Sequence, residues 1–139
     1  MTVVLGYDES PGADAALHMA IDVAVRFGEP LVVVHGIAPP GGVGEEFQAH
    51  RDALAEIGRK ATDHALEAAR AAGVAAEAEL VTAKPAEALI RIADECDATV
   101  IVLGTSGEGP IRSALLGSTP HKLLQLSTRP VLCVPSATP

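Results

Sequence analysis

The glycine-rich segment GTSGEGPIRSALLGST, residues 104–119, contains the residue types best suited to binding chemistry. Glycines let a backbone come close to an oxyanion, and successive N–H groups can then point inward as a nest. Ser118 and Thr119 can donate their hydroxyls to phosphate oxygens at a helix start, where unpaired N–H groups and the helix dipole favour an anion. Arg112 is the only cation of the segment. These features predict a phosphate site.

Common phosphate and nucleophile motifs do not fit this segment. Gly104 and Gly109 have the separation of a P-loop, but Pro110 stands where the phosphate-binding lysine belongs. G-x-G-x-x-G is missing after the first predicted strand, and G-x-S-x-G fails because Gly107 directly follows Ser106. The residues alone therefore leave a second interpretation open, a glycine-rich connecting loop with a capped helix behind it.

Short apolar runs alternate with helical patterns along the whole chain, and these elements must position the segment. The predicted strands are residues 2–7, 31–37, 74–81, 99–103 and 130–134. The predicted helices start at Ser10–Pro11, Glu45, Pro85 and Thr119–Pro120, and they end near residues 28, 72, 95 and 127. This order predicts an α/β fold: a single domain over residues 1–139 with a doubly wound, open parallel five-stranded sheet and helices on both faces.

The predicted fold also indicates where a ligand should bind. Ligands of such sheets lie beyond the carboxyl ends of the strands, where the strand order reverses. With a flavodoxin-like winding, that crevice lies beside the first strand. Asp8 follows the first predicted strand and Gly104 follows the fourth, so we expect both at the crevice.

Composition excludes several classes of partner. The net charge of −8 argues against general binding to nucleic acid or to an anionic membrane. An aromatic content of 2% without Trp leaves no base-stacking platform for single strands. No stretch approaches the roughly 20 apolar residues of a membrane span, and the N-terminus does not resemble a signal peptide. Two cysteines without metal-site spacing suit a reducing compartment, so we expect a cytoplasmic protein.

The spacing Gly104-x2-Gly107-x9-Gly117-Ser118 resembles the G-x2-G-x9-G-[S/T] nucleotide motif of the universal stress protein family. The resemblance covers the whole chain. It includes the opening strand that ends in GYDES, the strand end VVVHG, the strand and loop VIVLGTSG, and the closing strand PVLCV. The chain thus looks like a member of the ATP-binding branch of this family, with a Rossmann-like fold similar to that of the adenine nucleotide α-hydrolases.

The resemblance implies a ligand, a set of contacts and an assembly. The ligand is ATP, or ADP or AMP, with any Mg²⁺ carried on the phosphates. Asp8 would contact the adenine or its neighbourhood, and the backbone of Gly36 would line the base pocket. The remaining contacts, to ribose and phosphates, would come from Gly104, Gly107, Gly117, Ser118 and Thr119. The last strand, Pro130–Val134, would pair across a homodimer two-fold, and an exposed apolar edge strand suits such pairing.

One residue departs from the family pattern, and several others have a structural interpretation beside the functional one. Many relatives carry another hydroxyl residue two places after the Ser, where this chain has Pro120, so one phosphate contact is missing and AMP or ADP is better tolerated. Asp8 is also an ordinary former of Asx turns. His35, at the end of a buried strand, is expected to be a structural histidine, and Cys133 a core or interface residue.

Three functions remain open on the sequence. The first is a nucleotide-binding regulatory homodimer of the universal stress class with an unknown protein partner. The second is an interaction module of the same fold with a vestigial glycine loop. The third is an enzyme such as an ATPase, but Ser118 and His121 have no orienting carboxylate and no positioned nucleophile is evident, so at most slow hydrolysis is expected.

Overall fold

Strands and helices alternate along the chain in the predicted order. The computed structural model describes residues 1–8, 10–37, 45–105 and 116–136, so Gly107 and Arg112 of the predicted site lie outside the described residues. The elements are β1 (Thr2–Gly6), α1 (Pro11–Phe27), β2 (Leu31–Gly36), α2 (Glu45–Ala71), β3 (Ala76–Val81), α3 (Pro85–Glu95), β4 (Ala98–Gly104), α4 (Ser118–Leu126) and β5 (Val131–Val134).

The five strands form one parallel sheet in the order β3-β2-β1-β4-β5. The predicted fold class is confirmed, and the winding is the Rossmann order rather than the flavodoxin order. The strand order still reverses beside β1, between β1 and β4. The crevice therefore lies at the predicted strand ends. Asp8 follows β1, Gly104 ends β4, and these two strands are neighbours in the sheet.

Local signals fix α1 as predicted. The Ser10 side chain caps the helix by accepting a hydrogen bond from the Ala13 N–H at 3.3 Å, and Pro11 stands in the first turn. Gly28 ends the helix with φ 65°, a left-handed conformation that favours glycine. The pair Thr119–Pro120 carries the same signal and predicts Thr119 as the N-cap of α4, but this prediction was wrong. The helix begins at Ser118 with Gly117 as its N-cap.

The core has two layers, one on each face of the sheet. Leu5, Leu17 and Leu31 are fully buried on the face covered by α1 and α2. Ile101 and Leu123 are fully buried on the face covered by α3 and α4. Each layer holds its side of the sheet in place, which fixes the carboxyl ends of the strands relative to the helix starts.

The inward face predicted for α2 is correct only in its C-terminal half. Ala61, Ala65 and Ala69 are buried, but Leu54 is half-buried and Ile57 is 60% exposed, so the prediction for Ile57 was wrong. The sixth predicted residue, Phe47, has no described side chain. A helix of 27 residues is about 40 Å long, whereas six-residue strands are about 20 Å long. The first turns of α2 therefore extend past the carboxyl edge of the sheet.

Candidate functional site

A cleft of about 150 Å³ lies at the carboxyl ends of β1 and β4. It brings together six of the eight residues that the sequence predicts as ligand contacts: Asp8, Gly36, Gly104, Gly117, Ser118 and Thr119. The other walls are largely apolar and come from the end of β2, the end of β4 and the start of α3, through Val34, Leu103, Pro85 and Leu89. The cleft therefore combines an apolar wall with a helix start, which are the two surfaces that a nucleotide needs.

Asp8 forms an Asx turn, which the sequence analysis gave as the alternative to a ligand contact. Its Oδ1 accepts a hydrogen bond from the Ser10 N–H at 3.0 Å, and Ser10 in turn caps α1. The side chain is nevertheless exposed and lines the cleft. The turn therefore holds a carboxylate in a fixed position where it can accept a hydrogen bond from a hydroxyl or amino group of a ligand.

Gly36 and Gly104 have a packing reason to be glycine. A Cβ at Gly104 would lie 2.9 Å from the carbonyl oxygen of Gly12 in the first turn of α1. A Cβ at Gly36 would lie 2.8 Å from the carbonyl oxygen of Ala83 and 3.0 Å from the Cα of Pro85. Both contacts are with backbone, so both strand ends can approach their neighbours only without a side chain. The two glycines line the cleft with backbone atoms alone.

Alanine at Gly104 is expected to destabilise the fold whether or not a ligand is bound. The added methyl group pushes on the backbone of α1, and overpacking of this kind costs about 1–3 kcal/mol of the free energy of unfolding. Gly6→Ala is the matched control, because its Cβ would lie 2.9 Å from Cδ1 of Leu89, the end of a side chain that can rotate away. Urea unfolding should show the larger loss for Gly104→Ala. An equal or smaller loss than for Gly6→Ala would show that the close approach to Gly12 is not rigid.

The start of α4 has two open backbone donors. The Gly117 N–H does not point to a ligand, because it donates to the Thr105 carbonyl oxygen at 2.9 Å. The first helical bond runs from the His121 N–H to the Gly117 carbonyl oxygen at 3.1 Å. Among the described residues, the N–H groups of Ser118 and Thr119 have no acceptor, and no side chain caps the helix. These are the orphan donors that attract anions at helix starts.

His35 has the structural role expected of it. Its Nδ1 lies 3.0 Å from the Tyr7 carbonyl oxygen, and since a carbonyl oxygen only accepts, Nδ1 carries the proton of this bond. Gly58 of α2 packs on the ring, where a Cβ would lie 2.8 Å from its Cδ2. Tyr7 is buried and donates its hydroxyl to Asp14 Oδ1 at 3.0 Å. These contacts fix the end of β1 beside Asp8.

Besides Val34 and Leu103 of the apolar wall, the cleft residues that sequence reasoning missed include Tyr7, Pro85 and Leu89. Tyr7 could have been found, since it is the last residue before Asp8 and the only Tyr of the chain. Pro85 and Leu89 belong to the start of α3, and they reach the cleft only because β2 pairs with β1. That pairing is a property of the strand order, which local patterns do not specify.

Among the described residues, the cysteines and the acidic and histidine side chains form no metal site. Burial raises the pKa of the Cys133 thiol and of the Cys96 thiol, so both stay protonated near neutral pH. Over the described ranges, no group of three His, Cys, Asp or Glu side chains is placed to hold a metal ion. Within the same part of the chain, no helix is both long and apolar enough to cross a membrane.

The α/β fold with a cleft at the reversal of strand order defines a class of proteins that bind small ligands at this edge. The chain belongs to the universal stress protein family, whose model matches residues 1–135. This confirms the family resemblance predicted from the glycine spacing. A universal stress protein of Thermus aquaticus is 37% identical over 135 residues, covering 96% of this chain and 97% of the relative.

Two solved structures of the family hold adenine nucleotides. The universal stress protein from Archaeoglobus fulgidus in complex with dAMP is 26% identical, with a TM-score of 0.73 and coverage of 96% of this chain and 97% of its own. A universal stress protein in complex with cAMP is 28% identical, with a TM-score of 0.72 and coverage of 99% and 98%. Several structural neighbours of this chain therefore bind nucleotides.

Proposed function

We propose that this chain is a regulatory protein that binds an adenine nucleotide in the cleft between β1 and β4. The observation that carries the proposal is the uncapped start of α4, whose open N–H groups lie in the same cleft as Asp8 and an apolar wall. The related structures with dAMP and cAMP support an adenine nucleotide as the ligand.

Each part of the cleft suits one part of the nucleotide. The open N–H groups and hydroxyls of Ser118 and Thr119 would hold phosphate oxygens. The wall formed by Val34, Pro85 and Leu89 and the backbone of Gly36 would bury the base, and Asp8 would accept a hydrogen bond from the ribose or adenine. Gly107 and Arg112 remain predicted contacts to ribose and phosphate. The glycine motif implies ATP, and any Mg²⁺ would arrive on its phosphates.

We further propose a homodimer formed through β5. Within the described residues, β5 is an edge strand, and its residues Val131, Leu132 and Cys133 are half-buried apolar residues. The N–H groups of Ile101 in β4 and of Thr105, just after β4, donate to the carbonyl oxygens of Pro130 and Val134, respectively. Because the ladder alternates, Val131 and Cys133 direct their N–H and C=O groups to the outer edge, where a second copy of β5 could pair with them.

Calorimetric titration with AMP, ADP, ATP and GTP tests the proposed ligand class. We expect one adenine nucleotide bound per chain, together with a higher melting temperature, because a ligand that binds only the folded state stabilises it. GTP should bind more weakly, since the apolar wall and Asp8 would recognise the adenine. Absence of binding by every nucleotide at millimolar concentration would refute the proposal and favour the interaction module.

A further inference from the structure

A second cavity, of about 550 Å³, lies at the amino ends of β2 and β3, on the edge of the sheet opposite the cleft between β1 and β4. It is bounded by the C-terminal ends of α1 and α2 and by Pro30 and Ala75, which lead into the two strands. The whole lining falls within residues 24–30 and 72–75, all of which the structure describes. Among these described residues, Glu29 is the one charged side chain in walls of alanine, valine, glycine and proline. Cavities that bind small ligands have this size and this kind of lining.

The backbone N–H groups around the second cavity are already used by the two helix ends. Both α1 and α2 are followed by a glycine in the left-handed conformation, with φ 65° at Gly28 and φ 80° at Gly73. The N–H groups of these glycines and of the next residues, Glu29 and Val74, donate to carbonyl oxygens in the last turns of their own helices. The cavity therefore offers a ligand acceptors rather than donors, namely a carboxylate and carbonyl oxygens at two helix ends.

Glu29 has one carboxylate oxygen that is not used. Its Oε1 accepts a hydrogen bond from Oγ1 of Thr99 at 2.8 Å, which holds the side chain against the start of β4. Its Oε2 is buried and has no hydrogen-bond partner among the described residues. A buried carboxylate oxygen without a donor costs free energy, so a donor that a ligand brings to Glu29 would be stabilising.

The charges at this edge of the sheet favour a cation. The C-terminal end of a helix carries about half a negative charge, and both α1 and α2 end at the cavity. The Glu29 carboxylate adds a full negative charge. Arg26 and Arg70 stand in the last turns of the two helices, but both are exposed and neither lines the cavity. The negative charge of the lining is therefore left for a ligand to neutralise.

We propose that the second cavity binds an organic cation, a guanidinium group on a short apolar stem. A guanidinium has five N–H donors and no acceptor, which matches a cavity that offers acceptors. Its planar fork would pair with the Glu29 carboxylate, while the stem would pack on Val25 and Pro30. The group belongs either to a free small molecule or to an arginine side chain of another protein. This site is separate from the proposed nucleotide cleft and does not depend on it.

The test is a titration of the ¹⁵N-labelled full chain, followed by amide chemical shifts, with n-butylguanidine and with its uncharged analogue n-butylurea. We expect n-butylguanidine to shift the amides of Gly28, Glu29 and Gly73 and to bind with a dissociation constant of about 1 mM or lower. n-Butylurea should bind at least about tenfold more weakly, because it lacks the charge. The amides of Ser118 and Thr119 should not move.

Two variants test the carboxylate and the space separately. Glu29→Gln keeps an oxygen that can accept from Thr99 but removes the charge, so it should weaken n-butylguanidine at least about tenfold. Glu77→Gln is its matched control, because Glu77 is an exposed glutamate of β3 outside the cavity. Ala72→Lys places a cation on an exposed residue of the lining and should weaken binding similarly, whereas Ala71→Lys changes an exposed neighbour that does not line the cavity. Both controls should keep the wild-type affinity.

Several results would overturn the proposal: no binding of n-butylguanidine, equal binding of n-butylurea, shifts confined to other residues, or wild-type affinity in folded Glu29→Gln and Ala72→Lys. Titration with N-acetylarginine methylamide then distinguishes the two sources of the guanidinium. Binding as tight as that of n-butylguanidine supports an arginine side chain of another protein, and binding of n-butylguanidine alone supports a free small molecule. Failure of nucleotides to bind would leave this site unaffected.

Discussion

Gly117→Glu is expected to lower nucleotide affinity at least about 100-fold while the protein remains folded. Gly117 has φ −59° and ψ 163°, which any residue can adopt, so the backbone tolerates a side chain. The new carboxylate would lie at the start of α4, where the helix dipole stabilises it. It would therefore occupy the place proposed for the phosphate and repel that phosphate. Two unit charges 4 Å apart near a protein surface interact by about 4 kcal/mol, more than a 100-fold loss requires.

Gly117→Gln is the matched control for this prediction. Glutamine has the same size as glutamate without its charge, so it separates the steric effect from the electrostatic one. Calorimetric titration should show a smaller loss of affinity for Gly117→Gln than for Gly117→Glu, and urea unfolding should show that both variants fold. Wild-type affinity in a folded Gly117→Glu variant would place the phosphate elsewhere and contradict the assignment of the site.

Cys133→Pro is expected to convert the proposed homodimer into a monomer. Because the N–H of Cys133 points to the outer edge of β5, proline there removes a donor for a second copy while the bonds of β5 to β4 remain. Edge strands tolerate proline at such a position. Light scattering after size-exclusion chromatography should give the mass of one chain for this variant and of two chains for the wild type.

Two further variants show whether the effect of Cys133→Pro comes from the lost N–H, from the lost side chain or from a weakened fold. Cys133→Ala removes the thiol but keeps the N–H, so it should stay dimeric. Leu132→Pro removes an N–H that faces β4, so it should lower the free energy of unfolding much more than Cys133→Pro does. A dimeric Cys133→Pro variant would show that the copies associate through another surface.

The elements of the fold could be predicted because their signals are local. The Ser10–Pro11 start and the Gly28 end of α1 are set by capping and by left-handed glycine, which single residues reveal. Thr119–Pro120 carries the same local signal, yet α4 starts one residue before Thr119. At this earlier start, the Gly117 N–H donates a hydrogen bond to the Thr105 carbonyl oxygen. That bond joins residues from separate segments, so a local pattern does not reveal it.

The rest of the candidate site depends on contacts between distant segments. Gly36 and Gly104 were predicted as ligand contacts, but their close approaches to Ala83 and Gly12 follow from how whole elements pack. Strand order is likewise invisible in local patterns, so the winding and the contribution of Leu89 to the cleft could not be foreseen. Ile57 fits a helical stripe yet is exposed, because the periodicity of a helix does not reveal where the sheet beneath it ends.

Native mass spectrometry of the freshly purified protein tests the proposed nucleotide binding most directly, because it reports the mass of the ligand and of the assembly together. We predict a dimer that carries one adenine nucleotide per chain, or that takes up one per chain when AMP is added. A protein that stays free of nucleotide after addition of AMP, ADP and ATP with Mg²⁺ would contradict the proposed site at the start of α4.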